Sequence, residues 1–249
     1  MGTSVDFTRE ACRHADIIVA ISSATMPRTL GDSLIHRSHI DYLIEGGEAH
    51  HPIHERKFPA IGESERRIGE IIANNLVDDG ATLQMGIGAI PDAALASLTQ
   101  HKDLGVHTEM LSDGILPLVE CNAITNAKKY HYPGRTVVSF VYGSKKLYDY
   151  LDNNVSVHFG DVGWVNDPSI IRQNPKVTAI NSAVEVDITG QVVADSIGSR
   201  FLSGFGGQVD FIHGAAKGDD GLGKPIIALA SETKKGETKI VPYIQQVSY

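Results

Sequence analysis

Two glycine-dense turns are the first places where this sequence could do chemistry. Gln84-Met85-Gly86-Ile87-Gly88-Ala89-Ile90-Pro91 follows a strand-like run and opens a helix with Pro91-Asp92 in its first turn. Glycine removes the Cβ that would keep a ligand off the main chain, and the free N–H groups of a helix start point at whatever sits there. The chemistry on offer is the binding of an anion or of an oxyanion. Pro91 stands where the third glycine of a dinucleotide fingerprint belongs, and the lysine of a phosphate loop is absent, so neither nucleotide motif applies. A tight strand-to-helix turn uses glycines without any ligand, and both readings stand. The second turn, Ser203-Gly204-Phe205-Gly206-Gly207-Gln208-Val209-Asp210-Phe211, also leads into a helix. If both follow strands of one open sheet they share a crevice at the strands' carboxyl ends; two unrelated turns is the plainer account.

Between them lies Asn181–Val192, where alternation sets Ala183, Glu185 and Asp187 on one face and Val184, Val186 and Ile188 on the other, with a turn at Thr189-Gly190. A carboxylate in such a hairpin is either a reactive group or part of a solvated face, and the rarity of unpaired buried acids favours the solvated face. The cluster His50-His51-Pro52-Ile53-His54-Glu55 has metal-ligand residue types, but Pro52 breaks the helix that presents a zinc-type His pair, and a mobile polar loop accounts for it better. No metal site is expected. There is no GxSxG elbow, and neither Cys12 nor Cys121 has a sequence-adjacent His partner. Trp164, in Asp161-Val162-Gly163-Trp164-Val165-Asn166-Asp167-Pro168, reads as a packed aromatic beside a turn.

The elements that must position these residues alternate β-branched runs with amphipathic stretches, which predicts an α/β fold: an open, mainly parallel sheet with covering helices. Strands are predicted at Ile17–Ile21, Thr82–Gly86, Val137–Tyr142, Val155–Phe159, Val177–Ile180, Val184–Asp187, Val192–Asp195, Ile226–Ala230 and Lys239–Pro242. The clearest helix runs from Ser64, as cap, to Val77, with Ile68, Ile71, Ile72 and Leu76 on one face and a stop at Asp79-Gly80. Glu45–Gly62 reads as a linker, placing a boundary near residue 57 and leaving residues 1–56 too small to close a core alone.

Composition bounds the rest. A chain of 249 residues with 42% apolar and 21% charged residues folds without disulfides or structural metal. A net charge of −8 repels a phosphate backbone, which excludes nucleic acid as a partner while leaving small anions to local N–H groups. The longest apolar run, Ile17–Ile21, is strand-length, so no membrane partner is expected; two lone cysteines and no leader-like start point to a reducing, cytoplasmic setting.

Five motifs in order, Gln84–Pro91, Val106–Gly114 (VHTEMLSDG), Asn166-Asp167-Pro168, Asn181–Val192 and Ser203–Phe211, resemble the acetyl-CoA hydrolase/transferase family of class I CoA-transferases, the 4-hydroxybutyrate CoA-transferase branch most of all. Met26–His36 also looks like the end of that family's N-terminal domain, and the similarity runs from about Val5 to Tyr243. The resemblance implies that residues 57–249 form a CoA-transferase (NagB/RpiA-like) C-terminal domain, incomplete at its C-terminus, and residues 1–56 the end of an N-terminal α/β domain plus linker. It implies CoA transfer between an acyl-CoA and a short carboxylate such as acetate or 4-hydroxybutyrate, through a glutamyl-CoA thioester. The covalent nucleophile it implies is Glu185, with main-chain N–H groups of Ile87 and Gly207 as oxyanion donors and Gly86, Gly88 and Gly206 shaping the loops. Coenzyme A enters as substrate, with no permanently bound cofactor; acyl-CoA and a small carboxylic acid are the partners. Hydrolysis of acetyl-CoA in a wet site, or CoA binding without turnover, are the alternatives. An exposed face left by a missing domain predicts homo-oligomeric association.

Overall fold

The computed structural model describes residues 1–46, 52–56 and 60–244. In chain order, α1 (Thr8–His14) and two short strands, β1 (Val19–Ser22) and β2 (Tyr42–Glu45), precede α2 (Glu63–Leu76) and β3 (Thr82–Met85). Then come α3 (Ala89–Ala96), β4 (Gly105–Leu111), α4 (Leu116–Glu120), β5 (Thr136–Val141), α5 (Lys145–Leu151), β6 (Val157–Phe159), α6 (Val162–Val165) and α7 (Pro168–Ile171). The chain continues through β7 (Thr178–Ser182), β8 (Glu185–Asp187), β9 (Val192–Val193), β10 (Ser196–Ile197), β11 (Arg200–Phe201), α8 (Gln208–Ala216), β12 (Lys224–Ala228) and β13 (Ile240–Val241).

Six strands form one parallel sheet in the order β12-β7-β3-β4-β5-β6. The chain starts this sheet at β3, runs outward through β4, β5 and β6, then crosses back to lay β7 on the other side of β3. The winding therefore reverses between β3 and β7, and in such sheets the crevice beyond the strand ends at that point is the natural ligand site.

Helices cover both faces, and the strand alternation sorts residues between two cores. Leu83, Met85, Val106, Val138 and Ile180 join the larger core with Ile72, Leu95 and Leu147 from α2, α3 and α5. Val137 and Ala179, one position out of step, join Val165, Ile171 and Phe211 from α6, α7 and α8. By the same alternation Gln84, His107, Glu109 and Asn181 face the α6–α8 side. The segments flanking β1 and β2 are stitched to this sheet: Val5 N–H donates to Ser139 O (3.1 Å) and Phe159 N–H to Leu30 O (2.8 Å). β1 and β2 pair with each other, in parallel, as a separate exposed ribbon.

The predicted α/β sheet is present, with four strands the sequence did not reveal: β2, β4, β10 and β11. α2 departs in detail. Its cap is Gly62 without a side-chain bond, and Ser64 lies inside the helix. Its buried stripe is Gly69, Ile72 and Ala73, while Ile71 is 51% exposed. Gly69 explains the rotation: a Cβ there would lie 2.5 Å from Ala93 C, so α2 and α3 cross backbone to backbone at this glycine.

Part of the predicted linker, 47–51 and 57–59, lies outside the described residues, and with it His50 and His51; so does the tail 245–249. Residues 52–56 are no mobile polar loop. Arg56 N–H donates to Gly143 O (2.9 Å), Glu55 Oε2 accepts from Lys145 N–H at the start of α5 (2.9 Å), and His54 O accepts from the Tyr148 hydroxyl (2.8 Å).

Lys129 is buried against β4, its ammonium donating to Val106 O (2.7 Å) and Arg135 O (2.6 Å), and burial pushes its pKa down from 10.5 to about 7. The unfolded chain therefore binds more protons between those values, and stability rises with pH across that window. Denaturant titrations at pH 7 and pH 9 are expected to differ by about 2 kcal/mol in favour of pH 9, at roughly 1.4 kcal/mol per pKa unit. Lys129→Met should flatten that dependence; an unchanged pH slope in the variant would refute the assignment.

Candidate active site

The cleft at the β3–β7 switch point encloses about 240 Å3 and is lined by Gly86, Ile87, Gly206 and Gly207 together with Glu109, Asn181 and Asp195. Both predicted glycine turns thus meet in one crevice. Gly86 continues β3, its N–H donating to Ile180 O (2.8 Å), and the chain then turns through Ile87 into Gly88, the N-cap of α3 with φ +137°. The Ile87 N–H has no acceptor among the described residues, and its side chain is 60% exposed at the lip. The second turn ends at Gly207, the N-cap of α8.

Two carboxyl groups line this crevice, that of Asp195 and that of Glu109, near the end of β4. The recorded registers pair Leu83 with Val106 on one side and Met85 with Ile180 on the other. Counting on, Gly86 is level with Glu109 and with Asn181, and Met85 N–H donating to Thr108 Oγ1 at 3.4 Å agrees with that count. Glu109 Oε2 accepts from Asn166 Nδ2 at 2.6 Å, and the Gly207 N–H bonds the same carboxyl group. A side chain at Gly207 would overlap Glu109 Oε2 and Asn166 Nδ2, so only glycine lets this amide approach the carboxylate. Burial pushes the Glu109 pKa up, with Asp6 and Asp210 adding in the same direction; the bonds from Asn166 and Gly207 pull it back.

Asn166 is itself set in place from β4. His107, two residues before Glu109 and on the same face, is fully buried, and burial drives its pKa down to about 3, so the ring is neutral. Its Nε2 lies 2.8 Å from Val165 O, which fixes the proton on Nε2 and anchors the residue next to Asn166.

Glu185 is half-buried at the start of β8 and paired with Val193 of β9, next to Ala194 and Asp195, which line the cleft; it is not itself among the lining residues. Its neighbour Asp187 is buried, not solvated. Its carboxylate accepts from the Thr189 hydroxyl (2.7 Å) and from the N–H groups of Thr189 (2.9 Å) and Gln191 (3.0 Å), which holds its pKa low and locks the turn. The residues that sequence reading missed are Glu109, Asn166, Gln84, Asn181 and Asp195. A second hollow of about 490 Å3 beside α5 has less to offer, since Lys145, its one lysine, is already paired with Asp149 at 2.7 Å. Among the described residues no His/Cys/Asp/Glu group could hold a metal ion, and no helix is long and apolar enough to cross a membrane.

The fold and cleft define an α/β protein whose ligand site sits at a topological switch point, with a carboxylate set against two glycine turns. Residues 143–249 match the acetyl-CoA hydrolase/transferase C-terminal domain. The chain is 56% identical over 245 residues to a succinyl-CoA:acetate/propanoyl-CoA:succinate CoA transferase of Fasciola hepatica, covering 98% of this chain and 51% of that protein. It is 49% identical over 246 residues to a 4-hydroxybutyrate coenzyme A transferase of Clostridium kluyveri, covering 98% and 56%. Among solved structures it superposes on a 4-hydroxybutyrate CoA-transferase from Porphyromonas gingivalis with a TM-score of 0.86 at 39% identity, covering 98% of this chain and 58% of that one. RipA from Yersinia pestis gives 0.92 at 34%, covering 99% and 55%. This chain belongs to the acetyl-CoA hydrolase/transferase family, and it spans about half the length of the relatives it matches.

The Asn166 bond yields a prediction. Asn166→Ala removes an N–H that favours the ionised Glu109 and leaves the burial term unopposed, so the Glu109 pKa should climb. Any acyl transfer that uses this carboxylate should then lose its acid limb at a higher pH than in the unaltered protein. An unshifted limb in a folded variant would show that Asn166 does not govern Glu109.

Proposed function

We propose that this chain carries the covalent wall of a CoA-transferase, with Glu185 as the nucleophile. One observation supports the reading: both glycine turns meet in one cleft whose lining includes Ala194 and Asp195, the residues that follow Val193, the β9 partner of Glu185. In the first step a Glu185 carboxylate oxygen attacks the carbonyl carbon of an acyl-CoA; the C–S bond breaks, giving an acyl-glutamyl anhydride and CoA thiolate. The thiolate then attacks the glutamyl carbonyl, releasing the donor carboxylate and leaving a glutamyl-CoA thioester. An acceptor carboxylate attacks that thioester, and the returning thiolate takes the new acyl group, restoring Glu185 with no net proton change.

Each addition builds an oxyanion. The N–H groups of Ile87 and Gly207 are the donors we assign to it, and Gly86, Gly88 and Gly206 shape the turns that present them; removing one such donor costs roughly 3 to 4 kcal/mol of barrier. The names borne by the two relatives above support acyl-CoA and carboxylate exchange. The chain's own acyl group is left open.

The test is direct. The protein is incubated with acetyl-CoA, treated with borohydride or hydroxylamine, and digested for mass spectrometry. Modification is expected on the Glu185 peptide and abolished by Glu185→Ala. Label on the Glu109 peptide, or none on folded protein, would overturn the assignment. Thiol release without an acceptor acid would mark hydrolysis instead of transfer.

Gly207→Ala should be nearly as damaging as loss of the nucleophile itself, because the added methyl overlaps Glu109 Oε2 and Asn166 Nδ2 and forces the turn that presents this N–H to shift. A fall of at least 100-fold in the rate of glutamyl labelling is expected from losing an oxyanion donor alone. Labelling at the wild-type rate would remove Gly207 from the mechanism.

A further inference from the structure

Of the two carboxyl side chains that line the cleft, one is engaged and the other is open. Glu109 accepts from Asn166 and from the Gly207 N–H. Asp195 is 7% exposed, and its side chain has no hydrogen-bond or ion-pair partner among the described residues. Its main chain, by contrast, is fixed. Asp195 O accepts from the N–H groups of Leu202 (2.7 Å) and Ser203 (3.2 Å), which ties the residue to the base of the second glycine turn. The neighbouring acceptors are taken: Gln84 and Asn181 exchange amide bonds at 2.8 and 3.3 Å, and Ser182 O accepts from Gln208 Nε2 at 3.2 Å. No lysine, arginine or histidine is among the lining residues. A carboxyl group more than nine-tenths buried with no donor against it is costly, so it marks a place where a ligand brings the N–H or O–H.

We propose that Asp195 receives the N–H of the pantetheine amide nearest the sulfur of an acyl-CoA, and so positions the thioester against the glycine turns. The inference rests on the acyl-CoA reading proposed above, but not on which carboxylate is acylated. The cleft encloses about 240 Å3, below the roughly 300–1,000 Å3 of pockets that enclose a drug-sized ligand, so it takes the reacting end of an acyl-CoA and leaves the nucleotide outside. With the thioester carbonyl on the N–H groups of Ile87 and Gly207, the sulfur lies in the same cleft, and two methylene groups separate it from the first amide nitrogen of the arm. That nitrogen falls within the lining, where a donor without an acceptor is penalised, and Asp195 is the open acceptor. A carboxylate suits the task. It only accepts, so it does not compete with the main-chain donors for an oxyanion, and its bonds are about twice as strong as those between neutral groups. Because Asp195 O also holds Leu202 and Ser203, one residue links the arm to the turn that ends at Gly207.

Small thioesters isolate this bond. S-acetyl-N-acetylcysteamine carries the amide N–H without the nucleotide, and its N-methyl derivative replaces that hydrogen alone. Binding of each to the protein is measured by ligand-observed NMR, with acetyl-CoA titrated in parallel. The N–H compound is expected to bind at least tenfold more tightly than the N-methyl compound, and Asp195→Ala should bring the two within twofold of each other. Asp195→Asn fills the same space, so the preference it loses, at least threefold, reports the bond and not room for the methyl group. Acetyl-CoA should bind the Asp195→Ala protein at least tenfold more weakly than the unaltered one. Equal binding of the two thioesters by the unaltered protein, or a preference unchanged in Asp195→Asn, overturns the proposal. So does a loss in Asp195→Ala seen with 4-hydroxybutyryl-CoA and not with butyryl-CoA, which would give the acceptor to a hydroxyl of the acyl group instead. Acetyl-CoA binding that is insensitive to Asp195 refutes this inference and leaves the acyl-CoA reading standing; no binding of acetyl-CoA to the folded, unaltered protein refutes both.

Discussion

A partly buried carboxyl group near two other acids is pushed toward its neutral form unless N–H donors are fixed against it, and the cleft sets both influences on Glu109. Glu109 has Asp6 and Asp210 in its surroundings, both pushing its pKa up along with burial, and it has Asn166 and the Gly207 amide pulling the other way. Both donors are rigid for reasons that begin elsewhere. Gly207 is held by the start of α8, and Asn166 by the bond from His107 to Val165 O. The two-residue repeat of a strand places His107 and Glu109 on one face, so a single strand supplies both this carboxyl group and the anchor of its partner.

The same strand shows how a sheet buried on both faces accommodates polar side chains. β4 carries His107 and Thr108 in its interior, and Lys129 is packed against it. Each is matched to an acceptor: His107 to Val165 O, Thr108 to Met110 O at 3.0 Å, and Lys129 to the carbonyls of Val106 and Arg135. The two titratable groups among them are shifted toward their neutral forms, which lowers the cost of burying them.

How much of this was legible follows from which physical signal each element carried. The glycine turns were legible because a strand running into Gly-x-Gly and a helix start is a local pattern, and their meeting follows from parallel winding. β4 was not. Gly105-Val106-His107-Thr108-Glu109-Met110-Leu111 shows neither alternation nor an apolar run, because its polar residues find acceptors on other strands and helices that sequence does not display. With β4 unread, nothing placed Glu109 level with Gly86. The face of α2 failed for a related reason, since a buried glycine is invisible to a pattern built from large apolar residues.

The hairpin of β8 and β9 shows that residue type alone does not say what an acid does. Asp187 is buried among N–H and O–H donors and does a turn's work; Glu185, one pleat away, is not locked in this way and pairs with Val193, next to the cleft-lining Ala194 and Asp195. An acid becomes reactive through what surrounds it, and the described residues leave one demand on those surroundings unmet. An acyl-glutamyl anhydride has to be kept from water, yet Ile87 and Phe205, which line the cleft, are 60% and 70% exposed. Two apolar side chains at the lip of a site that must be dry are a surface for something to close upon. Under the proposed chemistry, whatever covers them sets the balance between transfer to an acid and loss to water.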